Sequence, residues 1–293
     1  MSSQESAVLE AKPLLSGLVI GESPRWHEGR LWFAHWGTGE IVAVDLEGRS
    51  DVVGQGPPGL GWSIDWLPDG RLLVTGEGLM RREPDGSMVR HANLSGVGVD
   101  DFNEIVVDGR GNIYVNGGCD FDPGEGNAPG IIALVTPDGS VRRVADGIAF
   151  PNGMAVTPDN STLIIAESFA ARLTAFDIAA DGSLSNRRVW ADGVGPDGIC
   201  IDAGGAIWTG VGQFGDNLVC RVREGGDVLE RVQLDLPCFA CALGGEDGRT
   251  LFMLAADWRM TDSFADNIAR LTRGPCTGQV LTAPAPEPGV GWP

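Results

Sequence analysis

The chain repeats itself. Six segments share one pattern: SPRWHEGRLWFAHW from Ser23, SIDWLPDGRLLVTGE from Ser63, EIVVDGRGNIYVNG from Glu104, GMAVTPDNSTLIIAES from Gly153, GICIDAGGAIWTGV from Gly198 and CALGGEDGRTLFMLAA from Cys241. Each reads as a short strand, a turn containing Gly or Asn, and a second strand rich in aliphatic or aromatic residues, the signature of a β-hairpin. Successive starts lie about 40 to 50 residues apart, which suits four strands per unit. Shorter strand-like runs fill the intervals, among them 40–46, 131–137, 171–178 and 218–224. No stretch shows sustained helical periodicity. The pattern predicts an all-β fold, a six-bladed β-propeller with four antiparallel strands per blade.

Such a ring must close, or its last blade leaves bare strand edges. The N-terminal run 7–15, AVLEAKPLL, is expected to close it as a strand of the last blade, beside C-terminal strands at 268–273 and 279–284. The Pro- and Gly-rich tail, 284–293, is expected to lie extended over the surface. No linker or shift in composition divides the chain, so residues 1–293 read as one domain.

Four polar residues fall at one phase of the repeat, just before the first strand of their units: Glu22, Asn103, Asn152 and Asp197. In a ring of blades that phase points at the central axis. Two carboxylates and two amide carbonyls converging there make a site for a hard cation. Each has a plainer reading. Glu22 alone is a loop carboxylate beside Arg25, and Pro151-Asn152-Gly153 and Pro196-Asp197-Gly198 resemble ordinary turns. Pro84-Asp85-Gly86 and Pro137-Asp138-Gly139 are read as only that, because they lie inside hairpins.

With 40 acidic against 21 basic residues the net charge is −19, which argues against nucleic acid or an anionic membrane as partner and favours a cation. The first twelve residues, MSSQESAVLEAK, hold no basic and apolar leader, so no signal peptide is expected and the cytoplasm is the expected location. No apolar run reaches membrane-spanning length. The six cysteines are expected as buried or half-buried free thiols, and the C-x-x-C of Cys238 and Cys241 as packing near the tunnel. The histidines are scattered, with His27 expected in an exposed turn and His35 near a rim. The 118–130 segment is expected as a long loop at the tunnel mouth.

GESPRW at 21–26, FNE at 102–104, PNGMAVTPD at 151–159 and PDGICIDAGGAIW at 196–208 resemble the SMP-30/gluconolactonase/LRE family over nearly the whole chain, including the Ser-Asn-Arg-Arg run at 185–188. The resemblance implies one divalent cation in the central tunnel and hydrolysis of lactones. It implies Glu22, Asn152 and Asp197 as metal ligands, Asn103 as a polar contact to substrate or to water at the metal, and Asp197 also as general base. Oxygen ligands suit Ca²⁺ first, with Mg²⁺, Mn²⁺ or Zn²⁺ as alternatives. The chain departs from the family's sugar-lactonase pattern at Asp101, where Arg is common, at Glu104, where Asp is common, and at Ala34-His35-Trp36, where a Trp-Asp-Ile-like stretch is usual. Asp101 would repel acidic lactones. With Asp101, Asn103, Glu104, Trp36 and Trp62 as substrate contacts and Phe150 nearby, the expected substrate is a neutral, less polar lactone or ester. The expected assembly is a monomer or small homo-oligomer. Two alternatives use the same residues: a phosphotriesterase-type hydrolase, or a non-catalytic calcium-binding or protein-binding propeller.

Overall fold

The computed structural model describes residues 7–76, 78–118, 129–210, 217–259 and 261–293. Most of the 118–130 segment, with Cys119, lies outside the described residues. Strands pair into six sheets, each built on consecutive antiparallel hairpins. The innermost strands are Ile20–His27, Ile64–Trp66, Phe102–Val107, Pro151–Val156, Ile199–Ile201 and Cys238–Gly244. Consecutive inner strands pack on one another around the ring, and the last packs on the first. This is the expected six-bladed propeller. Apolar side chains of adjacent blades form the core, with Trp62, Trp208, Tyr114, Phe33 and Phe252 wholly buried between sheets.

The N-terminal segment closes the ring, but as two strands. Lys12–Leu18 pairs antiparallel with Gly278–Pro284 and so completes the sixth sheet. Ala7–Leu9 instead pairs in parallel with Val228–Gln233 and adds a fifth strand to the preceding sheet, covering an edge that would otherwise be bare.

The run 268–273 is not a strand. It belongs to the helix Phe264–Arg273. Ser263 caps it, its hydroxyl accepting from Asp266 N at 3.1 Å, while Asp266 lies in the first turn and Arg270 and Arg273 in the last. Those signals favour a helix at both ends. Among its residues with described side chains, Asn267 and Leu271 are buried and Ile268 half-buried, and ten residues are too few for the pattern to stand out beside the surrounding strands. No helix among the described residues is long and apolar enough to cross a membrane.

The C-terminal tail lies across the far ends of the inner strands, away from Asn152 and Asp197. Trp292 exchanges backbone hydrogen bonds with Val156 at 2.7 and 3.0 Å, and Val290 N donates to Ile201 O. The Trp292 ring lies so close to Gly109 that a Cβ there would meet it at 2.3 Å.

Candidate functional site

The inner strands share a local defect. A β-bulge falls between Glu22 and Arg25, between Phe102 and Ile105, between Pro151 and Met154, and between Cys238 and Ala240. A bulge re-aims the side chains beside it, and three of these four sit at Glu22, Asn103 and Asn152. The backbone carries strain at the same level. Ser23 has φ 50° and Phe150 φ 57°, left-handed values that non-glycine residues adopt at a cost of about 1–3 kcal/mol. The Ser23 conformation is held by the next blade, its hydroxyl accepting from Ile64 N at 3.0 Å and donating to Ile64 O at 3.3 Å.

The glycines of Pro151-Asn152-Gly153 and Pro196-Asp197-Gly198 serve packing rather than a turn, unlike Gly86 and Gly139, which have positive φ. A Cβ on Gly153 would meet Ile199 N at 2.6 Å and Asp197 O at 2.8 Å, and one on Gly198 would meet the Ala240 Cβ at 2.4 Å. Neither glycine has positive φ. Their small size lets adjacent inner strands touch, so that Gly153 N donates to Asp197 O at 3.2 Å and Gly198 N to Phe239 O at 2.7 Å. That contact draws the Asx side chains of neighbouring blades together.

The carboxylates of Glu22, Asp197 and Glu104 act on one another electrostatically. Burial, then the charges of Asp197 and Glu104, push the Glu22 carboxyl well above the usual range. Burial and the Glu104 charge push Asp197 up to about 8, against hydrogen bonds from the Asn152 side chain and Gly198 N. Burial also raises Glu104, opposed first by Arg25. The buried cation of the cluster is Arg25. Its guanidinium donates to Ile105 O at 2.7 Å and Pro24 O at 3.0 Å and lies 3.8 Å from Glu104 and 3.9 Å from Asp65, and its charge also works against the rise at Glu22. Asp65 is already engaged, accepting from Val107 N and Trp66 N at 2.8 Å each. Buried carboxylates of this number call for a positive charge that one arginine does not supply.

The donor atoms fit such a charge. Asn103 Oδ1 is buried and has no hydrogen-bond partner among the described residues. Glu22 and Asp197 offer carboxylate oxygens and Asn152 an amide oxygen, an all-oxygen set suited to a hard divalent ion. Among the described residues no group of three or more His, Cys, Asp or Glu is disposed to hold a metal, so the fitting set is this mixed one of two carboxylates and amide carbonyls. A cavity of about 10 Å³, roughly one water, is lined by Arg25, Glu104, Gly153, Met154, Gly198 and Cys241 among others.

A ring of polar residues, unremarked in the sequence, holds these groups from behind. Asn116 Nδ2 donates to Asn152 O at 2.7 Å while its Oδ1 accepts from Glu104 N at 3.2 Å. Ser63 and Thr75 hydroxyls donate to Asn103 O at 2.7 and 2.8 Å. Ser168 Oγ accepts from Asn152 Nδ2 at 3.3 Å and donates to Pro196 O at 2.8 Å, and Thr209 Oγ1 accepts from Asp197 N at 3.4 Å. Thr75, Asn116, Ser168 and Thr209 all stand at or just beyond the end of a second strand, a second polar phase of the repeat. The turn carrying Ser168 is anchored by Glu167, which is wholly buried. Burial works against its charge, but bonds from Ala149 N, Arg172, Thr174 and Arg187 hold its carboxyl down at about 2. Arg187 comes from the Ser-Asn-Arg-Arg run, whose other arginine, Arg188, pairs with Asp177.

Several expected contacts lie elsewhere. Trp62 is wholly buried, so its ring serves packing and cannot reach a ligand. Trp36 is nearly so, its indole N–H bonded to Trp62 O at 2.7 Å. Asp101 is exposed at the rim, whereas Glu104 is buried within the cluster. His27 is not an exposed turn residue: its ring stacks on Trp66 at 4.0 Å. His35 is buried and structural, with Nε2 accepting from Val19 N at 2.9 Å. Cys200, Cys220, Cys238 and Cys241 are buried free thiols, but Cys276, in the segment after the helix, is exposed.

Residues 20–257 match the sequence profile described as the SMP-30/Gluconolactonase/LRE-like region. A pentonolactonase of Haloferax volcanii is 29% identical over 254 residues, 81% of this chain and 81% of the relative. Among solved structures, a luciferin-regenerating enzyme superposes with a TM-score of 0.80 at 20% identity, covering 96% of this chain and 97% of its own. Regucalcin of Agrobacterium tumefaciens, described as a calcium-binding protein, superposes with a TM-score of 0.76 at 22% identity, covering 98% and 97%. At these identities the two structures speak for the fold.

Proposed function

The chain belongs to the SMP-30/gluconolactonase/LRE-like family, and on that premise we propose that it is a divalent-cation-dependent hydrolase of a lactone or related ester, working at the mouth of its central channel. One observation carries the reading: the buried carboxylates of Glu22, Glu104 and Asp197 act on one another with Arg25 as their buried cation, beside an Asn103 Oδ1 that has no partner among the described residues. The pentonolactonase relative supports the reaction class, and the calcium-binding regucalcin supports Ca²⁺ as the first ion to test.

In this reading Glu22, Asn152 and Asp197 hold the ion, with Ca²⁺ preferred and Mg²⁺, Mn²⁺ or Zn²⁺ as substitutes. When bound, the ion supplies Lewis acidity, polarising a substrate carbonyl and stabilising the oxyanion that forms on attack. Asn103 presents its amide to the substrate from the neighbouring blade. Asp197 accepts the proton of the attacking water. In the cation-free site burial and the Glu104 charge raise its proton affinity; a bound cation would lower it and leave the carboxylate ionised to receive that proton. Asn116, Ser168 and Thr209 fix the strand ends so that these groups keep their places.

The test is proton release from a panel of lactones and esters, with chelator added and single divalent metals then restored. Turnover that disappears with chelator and returns with one metal is the expected result. A panel with no turnover under any metal overturns the reading, and phosphotriesters and simple cation binding become the next assays.

A further inference from the structure

Five ring positions are accounted for by Glu22, Asn103, Asn152, Asp197 and the buried Trp62. The sixth is Phe239. Cross-blade hydrogen bonds carry the register: Gly153 N donates to Asp197 O, and Gly198 N donates to Phe239 O in the same manner. Phe239 therefore stands in the last blade where Asp197 stands in the one before, flanked around the ring by Asp197 and Glu22. Its ring is partly exposed and backed by the core cluster that includes Trp36 and Ala256. Trp258 meets it edge-on, 5.8 Å between centroids at 79°. A second aromatic pair adjoins Asn152. Phe150 and Phe169 stack at 4.3 Å, and Phe169 is 46% exposed. They share the turn of Ser168, whose N–H donates to Phe150 O at 3.1 Å and whose hydroxyl accepts from Asn152.

Among the described residues at these strand ends, the cations are engaged and the exposed charge of Asp101 is acidic. Asp101 is exposed at the rim, Arg259 beside Trp258 pairs with Asp257 at 3.2 Å, and Arg25 is buried against Glu104 and Asp65. Carboxylate-bearing substrates meet repulsion here, and a polyhydroxylated one meets hydrocarbon where its hydroxyls need partners.

We propose that Phe239 and Trp258, with the Phe150–Phe169 stack as second wall, form an apolar arm of the site that takes an uncharged alkyl or aryl substituent of the lactone. This rests on the lactone-hydrolase reading and narrows it. Phe239 sets specificity by contact with the substrate and takes no part in proton transfer. Its place in the ring puts it between the strands that carry Asp197 and Glu22, the groups proposed to hold the cation.

Three lactones of one ring size provide the test: δ-valerolactone, δ-decalactone with its pentyl chain, and glucono-δ-lactone. The wild type should show its lowest KM for δ-decalactone and its highest for glucono-δ-lactone. Phe239→Ala should lower the ratio of kcat/KM for δ-decalactone over δ-valerolactone by about 10- to 100-fold, mainly through KM, and Phe239→Leu should recover much of it. A ratio unmoved by Phe239→Ala, or glucono-δ-lactone as best substrate, overturns the proposal. If no lactone is turned over, the lactone reading fails separately, and δ-decalactone binding is then titrated calorimetrically. Binding that Phe239→Ala abolishes keeps the apolar arm, and binding that is absent or indifferent to the substitution removes it.

Discussion

Asp197→Asn is expected to lower kcat/KM by about 10²- to 10⁴-fold, the range for loss of a general base, in a protein that stays folded. The amide keeps an oxygen for the cation but cannot take a proton from water. The fold should gain, because the substitution removes one of the interacting buried carboxylates, Glu22, Glu104 and Asp197. Asp197 has a folded pKa of about 8 against an ordinary 3.8, so its charge opposes folding above the ordinary value. Thermal unfolding of the chelated variant at pH 8 should therefore occur at or above the wild-type temperature, which separates lost chemistry from lost structure. Activity within about threefold of wild type contradicts a base role for Asp197.

Arg25→Met is expected to destabilise the cation-free protein by about 3–5 kcal/mol, as removal of one partner from a buried ion pair does. The guanidinium joins three blades, through Pro24 O, Ile105 O and the carboxylates of Glu104 and Asp65. A methionine fills the space but strands two buried carboxylates. The loss should shrink as pH falls, because burial already raises Asp65 and Glu104 and they take up protons in place of the lost partner. Urea unfolding at pH 8 and pH 5 measures both parts. A change under about 1 kcal/mol at pH 8 contradicts the assignment of Arg25 as the cluster's charge balance.

Much of this architecture was legible in the repeat. Hairpins at a regular interval predict blades, and a polar residue at one phase of several blades predicts convergence on an axis, because the ring geometry is fixed by closure alone. The structure adds what phase cannot express. Phe239 shares the ring position of Asp197, yet within Cys238-Phe239-Ala240-Cys241 it reads as packing, since an aromatic at that phase carries no chemical signature. Pro-Asx-Gly reads as a turn, whereas Gly153 and Gly198 are needed because the next blade's backbone passes within bonding distance. That contact joins residues some 45 positions apart in the chain and leaves no local trace. Trp62 sits near a predicted blade entrance but turns into the core beneath Gly56, a direction that sequence spacing does not encode. The helix Phe264–Arg273 was missed although its cap, its terminal charges and the helical spacing of Phe264, Ile268 and Leu271 all mark it, because the run 268–273 taken alone also reads as a short strand.

In the proposed function Glu22, Asn152 and Asp197, with Glu104 behind them, hold a divalent cation. Calorimetric titration of Ca²⁺ into the chelated protein between pH 6 and pH 8, in buffers of different ionisation enthalpy, tests it most directly. Raised pKa values mean that the folded, cation-free site holds protons which the unfolded chain has released, so stability without cation falls as pH rises from the ordinary carboxylate range toward about 8. The cation must displace those protons. One site per chain is expected, with proton release on binding, affinity that increases from pH 6 to pH 8, and loss of binding in Glu22→Gln. Heats too small to fit with Ca²⁺, Mg²⁺, Mn²⁺ and Zn²⁺ alike, or binding indifferent to both pH and Glu22→Gln, would contradict it.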